Sequence, residues 1–69
     1  MAPPLCVAVI VIETGQCLYR GSCYHRAAAK LTPGTCYGRG ESEHKAVLRA
    51  EEWAALFRAK DRLQRRFAG

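Results

Sequence analysis

The first apolar run, Leu5 to Ile12 (LCVAVIVI), is short, rich in β-branched side chains and followed by ETGQ. This pattern predicts a buried strand that ends in a turn. Residues Gln16 to Tyr24 then return as its antiparallel partner. A two-residue loop at Thr14 and Gly15 would set Glu13 opposite Gln16, Ile10 opposite Tyr19 and Cys6 opposite Cys23. Alternation along the two strands places Cys6, Ala8, Ile10, Ile12, Cys17, Tyr19 and Cys23 on one face, the expected core. Val7, Val9, Val11, Leu18 and Arg20 fall on the other. That second face is too apolar for solvent, so a second protomer is expected to cover it.

The segment Tyr24 to Pro33 allows either a single helical turn or an extended link before the Pro33-Gly34 turn. Thr35 to Gly38 reads as a short third strand ended by glycines. From Ser42 to Phe67 the chain is rich in Ala, Leu, Glu, Lys and Arg, with no Gly or Pro, which predicts one helix of 26 residues capped by Ser42. Its apolar stripe is Ala46, Val47, Ala50, Trp53, Ala54 and Phe57. Towards the end the stripe drifts to Leu56, Leu63 and Phe67, a seam interrupted by Lys60. Such a helix is about 39 Å long, against about 27 Å for an eight-residue strand. Its last turns should overhang the sheet, where they either pair with another chain or fray. The expected fold is α+β, a hairpin plus a short third strand under one long C-terminal helix (βββα), a single domain over 1–69 and a homodimer.

At 69 residues the core is small, which favours association. The net charge of +5 favours polyanions or acidic protein surfaces. Charge is unevenly spread. Residues 1–40 carry Arg20, Arg26, Lys30 and Arg39 against Glu13, whereas Glu41, Glu43, Glu51 and Glu52 outweigh Lys45 and Arg49 at the helix start. Arg58, Lys60, Arg62, Arg65 and Arg66 then face only Asp61. The N-terminal MAPP lacks a basic secretory start and no run is long enough to span a bilayer, so no membrane contact and a cytoplasmic location are expected. The four cysteines are then expected to be reduced, although the Cys6–Cys23 pair would be close enough to oxidise.

The chemistry-bearing stretch is TCYGRGESEHKA, Thr35 to Ala46. A phosphate loop there would place Glu41 and Glu43 where the anion should sit. Cys17, Cys23, His25, Cys36 and His44 match no paired zinc spacing. A cysteine nucleophile would need His25 or His44 within hydrogen-bond reach of Cys23 or Cys36, which spacing alone does not show. The stretch therefore reads as a strand-to-helix corner, with Arg39 at its tip the one residue lacking a structural duty. No cofactor, metal or catalytic set is expected. Contact residues are instead expected among Arg20, Arg39, Arg58, Arg62, Arg65 and Arg66, with Val7, Val9, Val11, Leu18, Leu56, Leu63 and Phe67 as the apolar dimer or partner surface. Tyr19, Tyr24 and Tyr37 could stack on bases if nucleic acid is bound.

CYGRGESEHKAVLRAEEWAAL resembles the strand-to-helix corner of the HicB-like antitoxins, at Cys36, Gly40, Ser42, Ala46, Ala50 and Ala54. The resemblance implies a small non-enzymatic protein that binds and inhibits a nucleic-acid-processing partner such as an RNA-cleaving toxin. A phage-type inhibitor of a host nucleic-acid enzyme would present the same features. The alternative reading is a small basic RNA- or DNA-binding domain.

Overall fold

A computed structural model describes residues 5–68, with side chains for residues 5–66. The chain runs β1 (Cys6–Val11), β2 (Cys17–Gly21), α1 (Tyr24–Lys30), β3 (Thr35–Gly40) and α2 (Glu43–Ala68). The three strands form one antiparallel sheet in the order β2-β1-β3, and the long helix packs across it. This is a small α+β fold of the βββα type, with α1 inserted between the second and third strands.

The hairpin closes differently from the tight loop expected. Val11 N–H donates to the Gln16 carbonyl at 2.9 Å and Gly15 N–H to the Val11 carbonyl at 2.8 Å, so the loop holds residues 12–15. Gly15 takes a left-handed φ of 76°, which only glycine adopts without strain. Ile10 then faces Cys17, and Leu18 bulges out before Val9 meets Tyr19. The expected Cys6–Cys23 pairing is absent. Cys23 lies beyond β2 as the residue preceding α1, Cys6 lies opposite Gly40, and all four cysteines are free thiols.

Helix α1 resolves the ambiguous middle segment. Seven residues are too few to hold a helix in water, and no side chain caps its start. Packing supports it: Ala27 is buried against Val7 and Val9, with Leu18 and Tyr19 beside them. Val7 and Val9 are therefore covered by the chain's own helix, not left for a second protomer as the alternation suggested. Val11 and Leu18 are half-buried.

On the opposite face, Ala46, Ala50 and Ala54 of α2 are buried, the last two against Ile10 and Cys36. The approach is close enough to need glycine below. A Cβ on Gly38 would stand 2.3 Å from the Ala50 nitrogen, and one on Gly40 would stand 2.9 Å from the Ala46 nitrogen. Gly38 and Gly40 therefore belong to β3, where they let the helix sit on the strand, and the turn falls at Glu41 and Ser42. Ser42 Oγ accepts the Lys45 N–H at 3.2 Å, so the expected cap is present. The helix outruns the sheet, and the molecule measures 49 × 20 × 18 Å.

Candidate functional site

The alanine stripe decides where the large helix residues go. Trp53 lies 100° round the helix from Ala54, and Phe57 lies 60° to the same side, so seating the alanines on β3 leaves both aromatic rings on the flank. Both belong to the apolar stripe expected of the helix, but they are 48% and 44% exposed. Their ring centroids are 6.2 Å apart. Together with Tyr37 of β3, Leu31 after α1 and Leu5 before β1, they line a groove of about 800 Å³ that runs along β3. Arg39 and Arg49 line it as well, and none of its lining residues is acidic. Arg49 contacts Glu52 at 3.5 Å, an exposed pair worth little. Arg39 has no carboxylate within ion-pair distance among the described residues.

The other expected contact arginines fall into separate places. Arg20 pairs with Glu43 at 3.6 Å, beside the start of α2. Arg58 donates to the Ile12 carbonyl at 3.0 Å and so ties α2 to the hairpin loop. Arg65 pairs with Asp61 at 3.2 Å. Arg62 and Arg66 are exposed on the overhang, as is Leu63, while Leu56 is exposed about two turns before Leu63. The Phe67 side chain lies outside the described residues. The arginines named from charge thus do not form one patch; only Arg39 sits with the aromatic cluster.

The thiols and imidazoles do not converge. Among the described residues no group of three or more His, Cys, Asp or Glu side chains could hold a metal ion. Cys36 is buried beneath α2 and its Sγ donates to the Ala50 carbonyl at 3.4 Å. Burial pushes its thiol above the ordinary value, and the positive charge of Arg58 only partly opposes this. A raised pKa is the opposite of what an activated thiol requires. Among the described residues no helix is long and apolar enough to cross a membrane.

Leu5, Leu31, Arg49, Trp53 and Phe57 line the groove without having been expected there from charge or alternation. A readable signal existed in the i, i+4, i+8 alanines set against two glycines in the preceding strand. That match marks the narrow seam, and places any bulky residue of α2 beside it. No family model matches the chain, and neither a curated protein nor a solved structure matches it.

Proposed function

We propose that this chain is a non-catalytic protein-binding module that uses the groove along β3 to hold a nucleic-acid-processing partner and inhibit or regulate it. The observation that carries the reading is the cluster of five large apolar side chains, Leu5, Leu31, Tyr37, Trp53 and Phe57, each 41% to 48% exposed around one groove. Trp, Tyr and Arg are the residue types that dominate binding energy at protein interfaces, and such a gathering of half-exposed aromatics in a small chain marks an interaction surface. The partner's class is drawn from the resemblance of the β3–α2 corner to HicB-like antitoxins. Affinity capture from the native host, comparing the wild type with a Tyr37→Ala/Trp53→Ala variant, tests the reading. A nuclease or polymerase should be retained by the wild type alone and lose activity when the purified chain is added. Identical capture by both chains would overturn the role of the groove.

A second reading, direct RNA or DNA binding, is favoured by the exposed Arg62 and Arg66 on the overhang. It requires affinity that falls steeply with salt, because each phosphate contact releases counterions.

A further inference from the structure

β3 is an edge strand, and among the described residues nothing pairs with its outer side. The ladder fixes which of its backbone groups face outward. Ile12 N–H donates to the Gly34 carbonyl at 2.9 Å, and the same register sets Ile10 opposite Cys36 and Ala8 opposite Gly38. Hydrogen-bonded and non-bonded pairs alternate along an antiparallel ladder. Cys36, Gly38 and Gly40 therefore direct their backbone groups at β1, whereas Tyr37 and Arg39 direct theirs away from it. The Thr35 N–H also points outward, but the Thr32 carbonyl accepts it at 3.1 Å. Tyr37 and Arg39 are left with one N–H and one C=O each along the open edge. The other edge strand, β2, is shorter and carries the bulge at Leu18, a device that blunts an edge. β3 pairs with β1 over its full length without a bulge.

The groove supplies both faces that an added strand would need. Cys36 and Gly38 face α2, so alternation puts Tyr37 and Arg39 on the opposite face. A strand laid along β3 would meet Trp53 and Arg49 on the helix side and Tyr37 and Arg39 on the other. Each face thus offers one aromatic surface and one cation; no carboxylate lines the groove itself, while Glu52 lies 3.5 Å from Arg49 and, with Glu41, borders the adjoining hollow behind the two arginines.

We infer that the outer edge of β3 receives an extended acidic segment of a partner protein by strand addition, with Tyr37 and Arg39 supplying the backbone hydrogen bonds and Arg39 and Arg49 the charge. The inference rests on the protein-binding reading above and names how that groove is filled. A second copy is a poorer occupant of this edge than an acidic chain, because each copy carries a net charge of +5 and brings its own Arg39 and Arg49 to the shared edge. Backbone pairing supplies affinity in this mode of recognition, and alternate side chains supply specificity.

The test is a selection of displayed random peptides on the full chain, followed by synthesis of the most enriched peptide. Enriched sequences should alternate apolar residues with Asp or Glu. N-methylation of the synthetic peptide at alternate residues should weaken binding by about tenfold in one of the two phases and little in the other, since only one set of N–H groups meets β3. Arg39→Glu should weaken it by a similar factor. Binding that ignores N-methylation yet is lost in Trp53→Ala would overturn strand addition while leaving the protein-binding groove standing. No enrichment, displacement of the peptide by a single-stranded oligonucleotide, or self-association abolished by Arg39→Glu would overturn the inference as well.

Discussion

Gly38 is the residue on which the seating of α2 depends. Its missing Cβ leaves room for backbone atoms of Ala50, Ala46 and Arg49 that would otherwise stand 2.3, 2.6 and 2.8 Å away. Backbone cannot yield as a flexible side chain can, so Gly38→Ala is expected to cost about 3 kcal/mol, at the upper end of overpacking. The urea midpoint should fall accordingly. Gly15→Ala has open space around it and should lose only about 1 kcal/mol through its left-handed φ; equal midpoints for the two variants would refute the close seating. Beneath the same seam, Cys36 should react with a thiol reagent more slowly than the exposed Cys17 and Cys23. Its raised pKa means that the folded state keeps the proton longer than the unfolded state. That contribution to stability is complete below the unfolded thiol's pKa and is lost as pH rises through the folded one, so stability should decline on the alkaline side, and Cys36→Ala should flatten the decline. In the sequence these glycines read as a turn, although a Gly-x-Gly before a helix taken alone reads equally as a turn or as a packing face. The two are distinguished by the alanines at 46, 50 and 54, which have to be matched with the glycines across the strand-to-helix corner.

The long helix and its Ser42 cap were legible because propensity, capping and the absence of breakers all agree over many residues. β1 was legible for a similar reason. The hairpin register was not: Thr14-Gly15 suits a two-residue loop, but the four-residue loop seats Gly15 in its left-handed position and the bulge at Leu18 then absorbs the offset. α1 was hidden for a different reason. Tyr24–Lys30 has no side-chain cap and too few residues to be helical alone, so its structure is set by the sheet beneath it. The apolar second face was read correctly as requiring a cover, but the cover lies within the chain. This gives a sharp contrast between adjacent alanines. Ala27→Asp would bury a carboxylate against Val7 and Val9, costing about 3 kcal/mol and uncovering apolar strand surface. Ala28→Asp, on the exposed side of α1, should change the melting temperature little. Dye binding to exposed apolar surface should rise in the first variant alone.

At the scale of the whole molecule, which is 49 Å long, the groove and the basic end of α2 fall in different places. The groove lies where α2 crosses β3, whereas Arg62, Arg65 and Arg66 lie on the overhang. This separation makes the two functional readings independently testable. Reversal of Arg62, Arg65 and Arg66 to Glu should abolish any salt-sensitive nucleic-acid binding and leave peptide binding at β3 intact. The overhang also bears on the homodimer expected from the sequence. With Val7 and Val9 covered by α1, and with the β3 edge disfavoured by like charge, the exposed seam through Leu56 and Leu63 is the place among the described residues where the sequence pattern puts a second copy. Side chains 61–66 are all exposed, so a chain ending at Lys60 should melt within about 0.5 kcal/mol of the full chain when both are dilute. At high concentration the full chain should sediment as a dimer that dissociates on dilution, and the shortened chain should remain a monomer. A full chain that stays monomeric, with rapid amide exchange across residues 60–68, would remove the dimer and leave the end of α2 as a solvated basic arm.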